Sequence, residues 1–562
     1  MRPILFSTLL RALLLFFTSA PLFANLATGD KGIVASVHPL ATQAGIAVLR
    51  NGGNAIDAAV AVALTLGVVD NQNSGLGGGC FMLIRLANGQ FVALDGRETA
   101  PARATRDMFV RDGKGDTSLS QDGPLASGVP GALAVYEQAA RLYGRQPLSE
   151  SLLTAAKIAE DGFPISAGYA RLLKEKSAAL KRYQAPQASY FRPDGTTIET
   201  GDLLRQPDLA RSHRAIAADG IKWFYRGAYA RAAAGWMRQN GGLLTQADFA
   251  GYSPEVRHPV ISDYRGYKIV GFPPPSSGGA HVAEILNILE NFDLKGLKEP
   301  GAREHVMAEA MKLAFADRAY WLGDPDFTRV PLGLVDKSYA RELSRRIDLG
   351  NVTRVLSHGM PPDADARFFG KHTTHFCTAD SEGNWVACTA TINTSFGSKV
   401  IIPGTGIFLN NEMDDFSIQA GAPNAFGLVG AEANAVAPGK RPLSSMSPTI
   451  VLQNNQPILA LGAAGGPTII SQTVLNLVGI LDLGMTLDEA LAQPRLHQQW
   501  APDQLLIEKA LPGPVRSALV RRGHKLVEEE AFGVSQAVGW SRENHVFSGA
   551  SDTRAGGSAA GW

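Results

Sequence analysis

One stretch restricts the folding of this chain more than any other: Gly370-Lys371-His372-Thr373-Thr374-His375-Phe376-Cys377. A loose polar run precedes it, Ser357 to Lys371, which holds Gly359, Pro361, Pro362, Asp363 and Asp365. Thr373 to Asp380 has the pattern of a β-strand, which turns through Ser381-Glu382-Gly383-Asn384 and returns as Trp385 to Asn393. A regular hairpin that aligns Thr373 with Thr391 sets Cys377 opposite Ala387 and turns Cys388 to the other face. An exposed loop leading into a threonine at the head of a strand suits one chemistry, cleavage of the chain before Thr373. The new N-terminal residue would carry its own base: an unperturbed α-amine has a pKa of about 7.7–8.0 and can accept the proton of the hydroxyl. Branching at Cβ limits χ1 and helps hold that hydroxyl toward a carbonyl. Two threonines opening a strand are also ordinary β-propensity, so the rest of the chain has to decide.

A chain of 562 residues has room for three or four domains or one large α/β unit, and 45% apolar residues supply its core. A net charge of +1 gives no bulk field that would favour nucleic acid or anionic lipid. Arg2, the apolar stretch Leu9 to Phe17 and the small-residue exit Ser19 to Ala24 read as a signal peptide, residues 1–24, cleaved after Ala24. The stretch falls short of the roughly 20 residues of a bilayer span, so export to a periplasm or beyond is expected. Cys80, Cys377 and Cys388 lack zinc spacing and are expected as buried free thiols.

Along the chain, Gly32–Ser36 reads as a strand and Leu40–Leu49 as a helix, and Asn54 to Asp57 caps an apolar helix to Val69. The glycine-rich Asn71 to Gly79 precedes a strand instead of a helix, so it reads as close chain packing and not as a dinucleotide loop. A hairpin, Phe81–Leu86 and Phe91–Leu94, turns at Asn88-Gly89 and ends in Asp95-Gly96-Arg97-Glu98. Arg97 is placed either to fork a substrate carboxylate or to pair locally with Asp95 or Glu98. Helices dominate from Gly131 to Trp321, interrupted by the rigid loop Gly271 to Gly279, and Leu349 to His372 is the best linker candidate. Glu412, Asp414 and Asp415 follow a strand and either clamp an ammonium group or form a solvated turn. Ala420 to Gly439 reads as a long loop suited to a lid, and Ser444 and Ser445 offer hydroxyls at the entry to a strand. Gly465-Gly466-Pro467-Thr468 joins a strand to a helix, either as a plain tight turn or as a nest of backbone N–H groups able to hold an oxyanion.

Taken in order, "GGNAIDAAVAVAL", "LGGGCFMLI", "DGRETAP", "PPPSSGG", "TTH", "NNEMDDFS", "RPLSSMSPT" and the paired-glycine turn resemble the γ-glutamyltransferase (glutathione hydrolase) family of N-terminal nucleophile hydrolases. The resemblance implies an α/β fold, a four-layer αββα sandwich, built jointly by a large subunit (25–372) and a small one (373–562) after self-cleavage between His372 and Thr373. It implies catalysis by Thr373, with Thr391 bonded to it and Gly465 and Gly466 as the oxyanion hole. It also implies a substrate site of Arg97, Ser444 and Ser445 for an α-carboxylate and Asn393, Glu412 and Asp415 for an α-ammonium. The implied partners are small molecules, glutathione and other γ-glutamyl donors with water, amino acids or dipeptides as acceptors, without cofactor, metal or nucleic acid. Phe426 stands where several bacterial members carry a lid tyrosine. A cephalosporin (glutaryl) acylase of the same superfamily, or a silent binding protein on the scaffold, are the competing expectations.

Overall fold

The structure is a computed structural model that describes residues 25–183, 187–362, 374–419, 421 and 423–562. The leader, His372 and Thr373 therefore lie outside the described residues.

Fourteen strands form two seven-stranded sheets. Numbered in chain order they are β1 (Asn25–Gly29), β2 (Gly32–Ser36), β3 (Gly79–Arg85), β4 (Phe91–Gly96), β5 (Glu255–Arg257), β6 (Val260–Tyr264), β7 (Tyr267–Gly271), β8 (Thr374–Asp380), β9 (Trp385–Thr391), β10 (Thr449–Gln453), β11 (Gln456–Ala464), β12 (Val534–Ser541), β13 (Val546–Ser551) and β14 (Ser558–Gly561). One sheet runs β1-β13-β12-β11-β10-β7-β6 and the other β14-β2-β8-β9-β3-β4-β5, with every neighbouring pair antiparallel.

The sheets stack face to face through Ile33, Phe81, Cys377, Ala379, Ile450, Ala460 and Val538. Helices α1 (Pro39–Arg50), α2 (Ala55–Val69) and α3 (Ala132–Tyr143) cover the outer face of the second sheet. Helices α4 (Gly278–Leu289), α5 (Ala302–Trp321) and α6 (Thr468–Leu481) form the layer over the first, with α5 packed on α4. The four layers are thus α, β, β, α, as expected. Antiparallel sheets often leave one face wet, but here β3, β8 and β9 are buried along their whole length. This fits the apolar run of β3, whereas the Thr, His and Asp side chains of β8 are buried as hydrogen-bonded groups.

Local chemistry sets the central hairpin against α2. Asn54 and Asp57 form the expected capping box, an arrangement in which the N-cap alone contributes about 1 kcal/mol. Asp380, at the end of β8, accepts from the Ala55 N–H at 2.8 Å, putting a carboxylate at the positive end of the helix. Thr378 Oγ1 donates to the Ala55 carbonyl at 2.7 Å. The hairpin register is the expected one: Cys377 pairs with Ala387 and Phe376 with Cys388, and all three cysteines are free and buried.

Two features go beyond the sequence reading. The region from Gly131 to Trp321 is not helical throughout, because β5, β6 and β7 lie within it and complete both sheets. A further strand, β1, follows the expected leader directly and pairs with β13.

Candidate active site

The site is built where β9 runs out, and glycines let the chains meet there. A Cβ on Gly77 would lie 1.9 Å from the Phe408 carbonyl oxygen, and one on Gly78 only 1.8 Å from that of Thr391. Close packing is thus the role of the glycine-rich turn before β3. Thr391 Oγ1 accepts from the Asn393 N–H at 2.7 Å, and Asn393 adopts a left-handed φ of 74°. Asn393 Nδ2 donates to the Asn411 carbonyl at 2.9 Å, which ties the end of the hairpin to the acidic turn Glu412–Asp415. Left-handed non-glycine residues recur at Phe396 and Lys399, and such local strain concentrates at functional sites.

Arg97 sits at the centre of this region and is fully buried. Its guanidinium donates to Glu412 and, at 2.6 Å, to Asp415, while Nε donates to the Pro442 carbonyl at 3.1 Å. The structure therefore brings together cation and acids that the sequence places on separate turns. Glu98 lies 3.7 Å from the same guanidinium, and neither of its oxygens has a hydrogen-bonding partner among the described residues. Of the local alternatives for Arg97, Asp95 accepts only its backbone N–H, and Glu98 is the more distant acid.

Three carboxylates around one guanidinium leave an excess of negative charge in a dry site. Burial, opposed by Arg97, pushes the Glu98 carboxyl up to about 7. Burial, with Glu98 and Asp415 adding to it, raises Glu412 as well. Burial works against the charge on Arg97, but Glu412, Asp415 and Glu98 outweigh it and hold the group protonated. Asp414 faces elsewhere: it accepts from Ser120 Oγ at 2.5 Å and from the Ala425 N–H at 3.0 Å, so only two of the three acids of this turn face Arg97.

Pro442 and Leu443 rest on Arg97, and Ser444 and Ser445 follow them. Ser444 Oγ accepts from the Met446 N–H at 3.2 Å, whereas Ser445 Oγ is buried with no partner among the described residues. Asn393 Oδ1 and Glu412 Oε2 are likewise unpartnered there. Across the sandwich a Cβ on Gly462 would lie 2.5 Å from the His375 ring, so β11 meets β8 at that strand's second residue. The turn that ends β11 follows three residues later, with φ of 131° at Gly465 and 62° at Gly466. Neither N–H donates to an acceptor among the described residues. The long loop beyond the acidic turn is tied to the site as well: Asn424 Nδ2 reaches Asp415 at 3.3 Å, and Asn434 Nδ2 donates to the Asp415 carbonyl at 2.7 Å.

Of the residues expected from the sequence, Arg97, Asn393, Glu412, Asp415, Ser444 and Ser445 are linked by these contacts, with Thr391 bonded to Asn393. His372 and Thr373 lie outside the described residues, but Thr374 is the first residue of β8 and pairs with Ala390, next to Thr391. Sequence reasoning named Glu98 only as a local partner for Arg97 and missed Asn424, whose signal was only its position within the loop. The described residues carry one cluster with metal-ligand geometry, His305, Glu309 and His524, remote in sequence from this site.

A gamma-glutamyltranspeptidase family model matches residues 41–562. The glutathione hydrolase proenzyme of Escherichia coli (strain K12) is 44% identical over 528 residues, covering 93% of this chain and 90% of its own. The cephalosporin acylase of Bacillus halodurans superposes with a TM-score of 0.86 at 30% identity, covering 97% of this chain and 98% of its own. The gamma-glutamyltranspeptidase of Helicobacter pylori is 41% identical with a TM-score of 0.55, covering 59% of this chain and 94% of its own. The αββα sandwich is accordingly the N-terminal nucleophile hydrolase fold, and the chain belongs to the gamma-glutamyltranspeptidase family.

Proposed function

We propose that this chain is a self-processing γ-glutamyl hydrolase and transferase with Thr373 as its nucleophile. One observation carries the reading: the buried Arg97 guanidinium shares a water-excluded cluster with Glu412 and Asp415. A γ-glutamyl group ends in an α-carboxylate and an α-ammonium, so it needs cation and acid within one site. Arg97, with Ser444 and Ser445, takes the carboxylate, while Asn393, Glu412 and Asp415 take the ammonium. Binding then exchanges the ion pairs between Arg97 and the acids for pairs with the substrate without leaving a buried charge alone, the arrangement that costs most.

Maturation begins when the Thr373 hydroxyl attacks the His372 carbonyl carbon. The C–N bond breaks, the acyl group passes to Thr373 Oγ1 as an ester, and the freed α-amine takes the proton; water then hydrolyses the ester. The products are a large subunit and a small one of 190 residues (562 − 372). In catalysis the α-amine accepts the hydroxyl proton as Oγ1 attacks the γ-carbonyl. The Gly465 and Gly466 N–H groups stabilise the oxyanion, and Thr391 holds the hydroxyl in place. The leaving amine receives the proton, and water or an acceptor amine resolves the γ-glutamyl ester. Residues 1–24 direct export, and no helix among the described residues is long and apolar enough to cross a membrane.

The acylase relatives favour a second reading, a glutaryl acylase, because a glutaryl group carries the same carboxylate without the ammonium. Two acids against Arg97 favour the zwitterion. Mass spectrometry of the mature N-termini should return Asn25 and Thr373. Turnover of a γ-glutamyl anilide should exceed that of a glutaryl anilide; the reverse preference would select the acylase, and an uncut, inactive chain would reject both.

A further inference from the structure

A second guanidinium stands near the same site, on a different helix. Arg318 is 1% exposed and lies near the C-terminal end of α5. The buried Arg97, Arg441 and Arg495 each lie against a carboxylate. Arg318 makes no ion pair among the described residues, and its Nη2 is buried without a hydrogen-bonding partner there. Its Nε donates to Ser277 Oγ at 3.3 Å. Ser277 in turn donates twice to the Ser444 carbonyl, from Oγ at 2.5 Å and from N–H at 3.0 Å. Ser444 precedes Ser445, whose hydroxyl has no partner among the described residues. The arginine is thus fastened, through one serine, to the turn that presents the idle hydroxyl.

A buried cation whose hydrogen bonds go only to neutral groups is costly unless an anion arrives to meet it. Its surroundings supply little relief: burial and then the Arg318 charge hold His281 neutral, with a pKa of about 3. Burial, then Asp317, keeps Glu284 protonated well above the usual carboxylate range. Burial brings Arg318 itself down to about 9, with Asp415 the opposing influence. Asp415 is the acid shared with Arg97, so both guanidinium groups act on one charge cluster.

We propose that Arg318 is a specificity-determining residue of the donor site, supplying countercharge to the substrate carboxylate seated at the Ser444–Ser445 turn. The inference rests on the donor reading above only in so far as the donor ends in a carboxylate. Arg97 then reads the carboxylate from the side of the acidic turn and Arg318 from the side of α4 and α5. This also gives the Gly271–Gly279 loop a function, since its Ser277 couples the helix to the turn.

The test uses mature enzyme and three anilides: γ-glutamyl (carboxylate and ammonium), glutaryl (carboxylate only) and 4-aminobutyryl (ammonium only). Arg318→Met should lower kcat/KM for both carboxylate donors about 100-fold, largely through KM, and change the 4-aminobutyryl value less than about threefold; a hundredfold loss matches a charge-assisted contact of about 3 kcal/mol. Arg318→Lys should restore part of the loss. An equal fall for all three anilides, or no fall, overturns the proposal. If Arg318→Met does not mature, Arg318→Lys decides by the same ratio, with a smaller expected change. A wild-type preference for the glutaryl anilide would overturn the γ-glutamyl reading while leaving the Arg318 ratios to stand or fall by themselves.

Discussion

Replacing Arg97 with methionine keeps the volume and removes the only guanidinium in contact with Glu412 and Asp415 among the described residues. Removing one partner of a buried ion pair costs about 3–5 kcal/mol. At about 2.1 cal/mol/K per residue, the unfolding entropy of 562 residues is about 1.2 kcal/mol/K, so the loss appears as a fall of about 3–4 °C in Tm. The sign of its pH dependence is fixed by the acids. Burial already raises Glu98 and Glu412 in the native protein, and without Arg97 they rise further. A group whose folded pKa is raised contributes stability at low pH, and that contribution is lost as pH climbs through the folded value. The Tm deficit of Arg97→Met should therefore be small near pH 5 and larger near pH 8. Scanning calorimetry at matched ionic strength across that range gives the comparison. A deficit that stays constant, or that grows toward pH 5, would refute the account of three acids sharing one cation. The same variant should also raise KM for γ-glutamyl anilide by at least tenfold.

Other perturbations separate the parts of the site. Thr373→Ala should give one uncut, inactive polypeptide, and two bands on a denaturing gel would contradict the maturation scheme. Gly78→Ala puts a Cβ 1.8 Å from the Thr391 carbonyl oxygen; overpacking of this kind costs about 1–3 kcal/mol, and the displaced Thr391 should lower kcat, so wild-type kinetics would show that the approach is not needed. Glu98→Gln keeps the shape of the protonated acid, whereas in the wild type the group near 7 loses its proton as pH rises. The variant should gain in Tm over the wild type between pH 5 and pH 8, and parallel Tm profiles would remove Glu98 from the titration. Phe426→Tyr adds a hydroxyl to a loop that Asn424 ties to Asp415, and should raise the ratio of transfer to hydrolysis, read with a dipeptide acceptor; an unchanged ratio would exclude Phe426 from lid closure.

The parts legible in the sequence were those whose cause is local. The cap at Asn54, the register of the hairpin and the left-over thiols follow from spacing over a few residues, and the structure has each of them. The strands β5 to β7 were not legible within a helical region, because their stability comes from distant chain: β7 pairs with β10, almost two hundred residues later. In the site, residue types could be named, but not who faces whom. Arg97 was equally consistent with a local pair or a free fork, and it instead holds Glu412 and Asp415 from across the sequence. Asp414 looked equivalent to its neighbours until its bonds to Ser120 and Ala425 turned it away. Arg318 gave no signal at all, since a single arginine on a helix is usually solvated.

The strand order of the two sheets bears on what a cut before residue 373 would leave behind. In one sheet β1 borders β13 and β7 borders β10; in the other β14 borders β2, β2 borders β8, and β9 borders β3. Each of these five seams joins a strand from before the cut to one from after it. The carbonyl of the last residue, Trp562, adds a clasp by accepting from the N–H groups of Lys31 and Gly32. Neither fragment owns a complete sheet, so the pieces are halves of a woven fabric and not two bodies that dock. A nick before residue 373 would leave all five seams paired, whereas synthesising the halves apart would leave each with unpaired edges. On the maturation scheme proposed above, the intact precursor would be the template on which a severed enzyme is assembled.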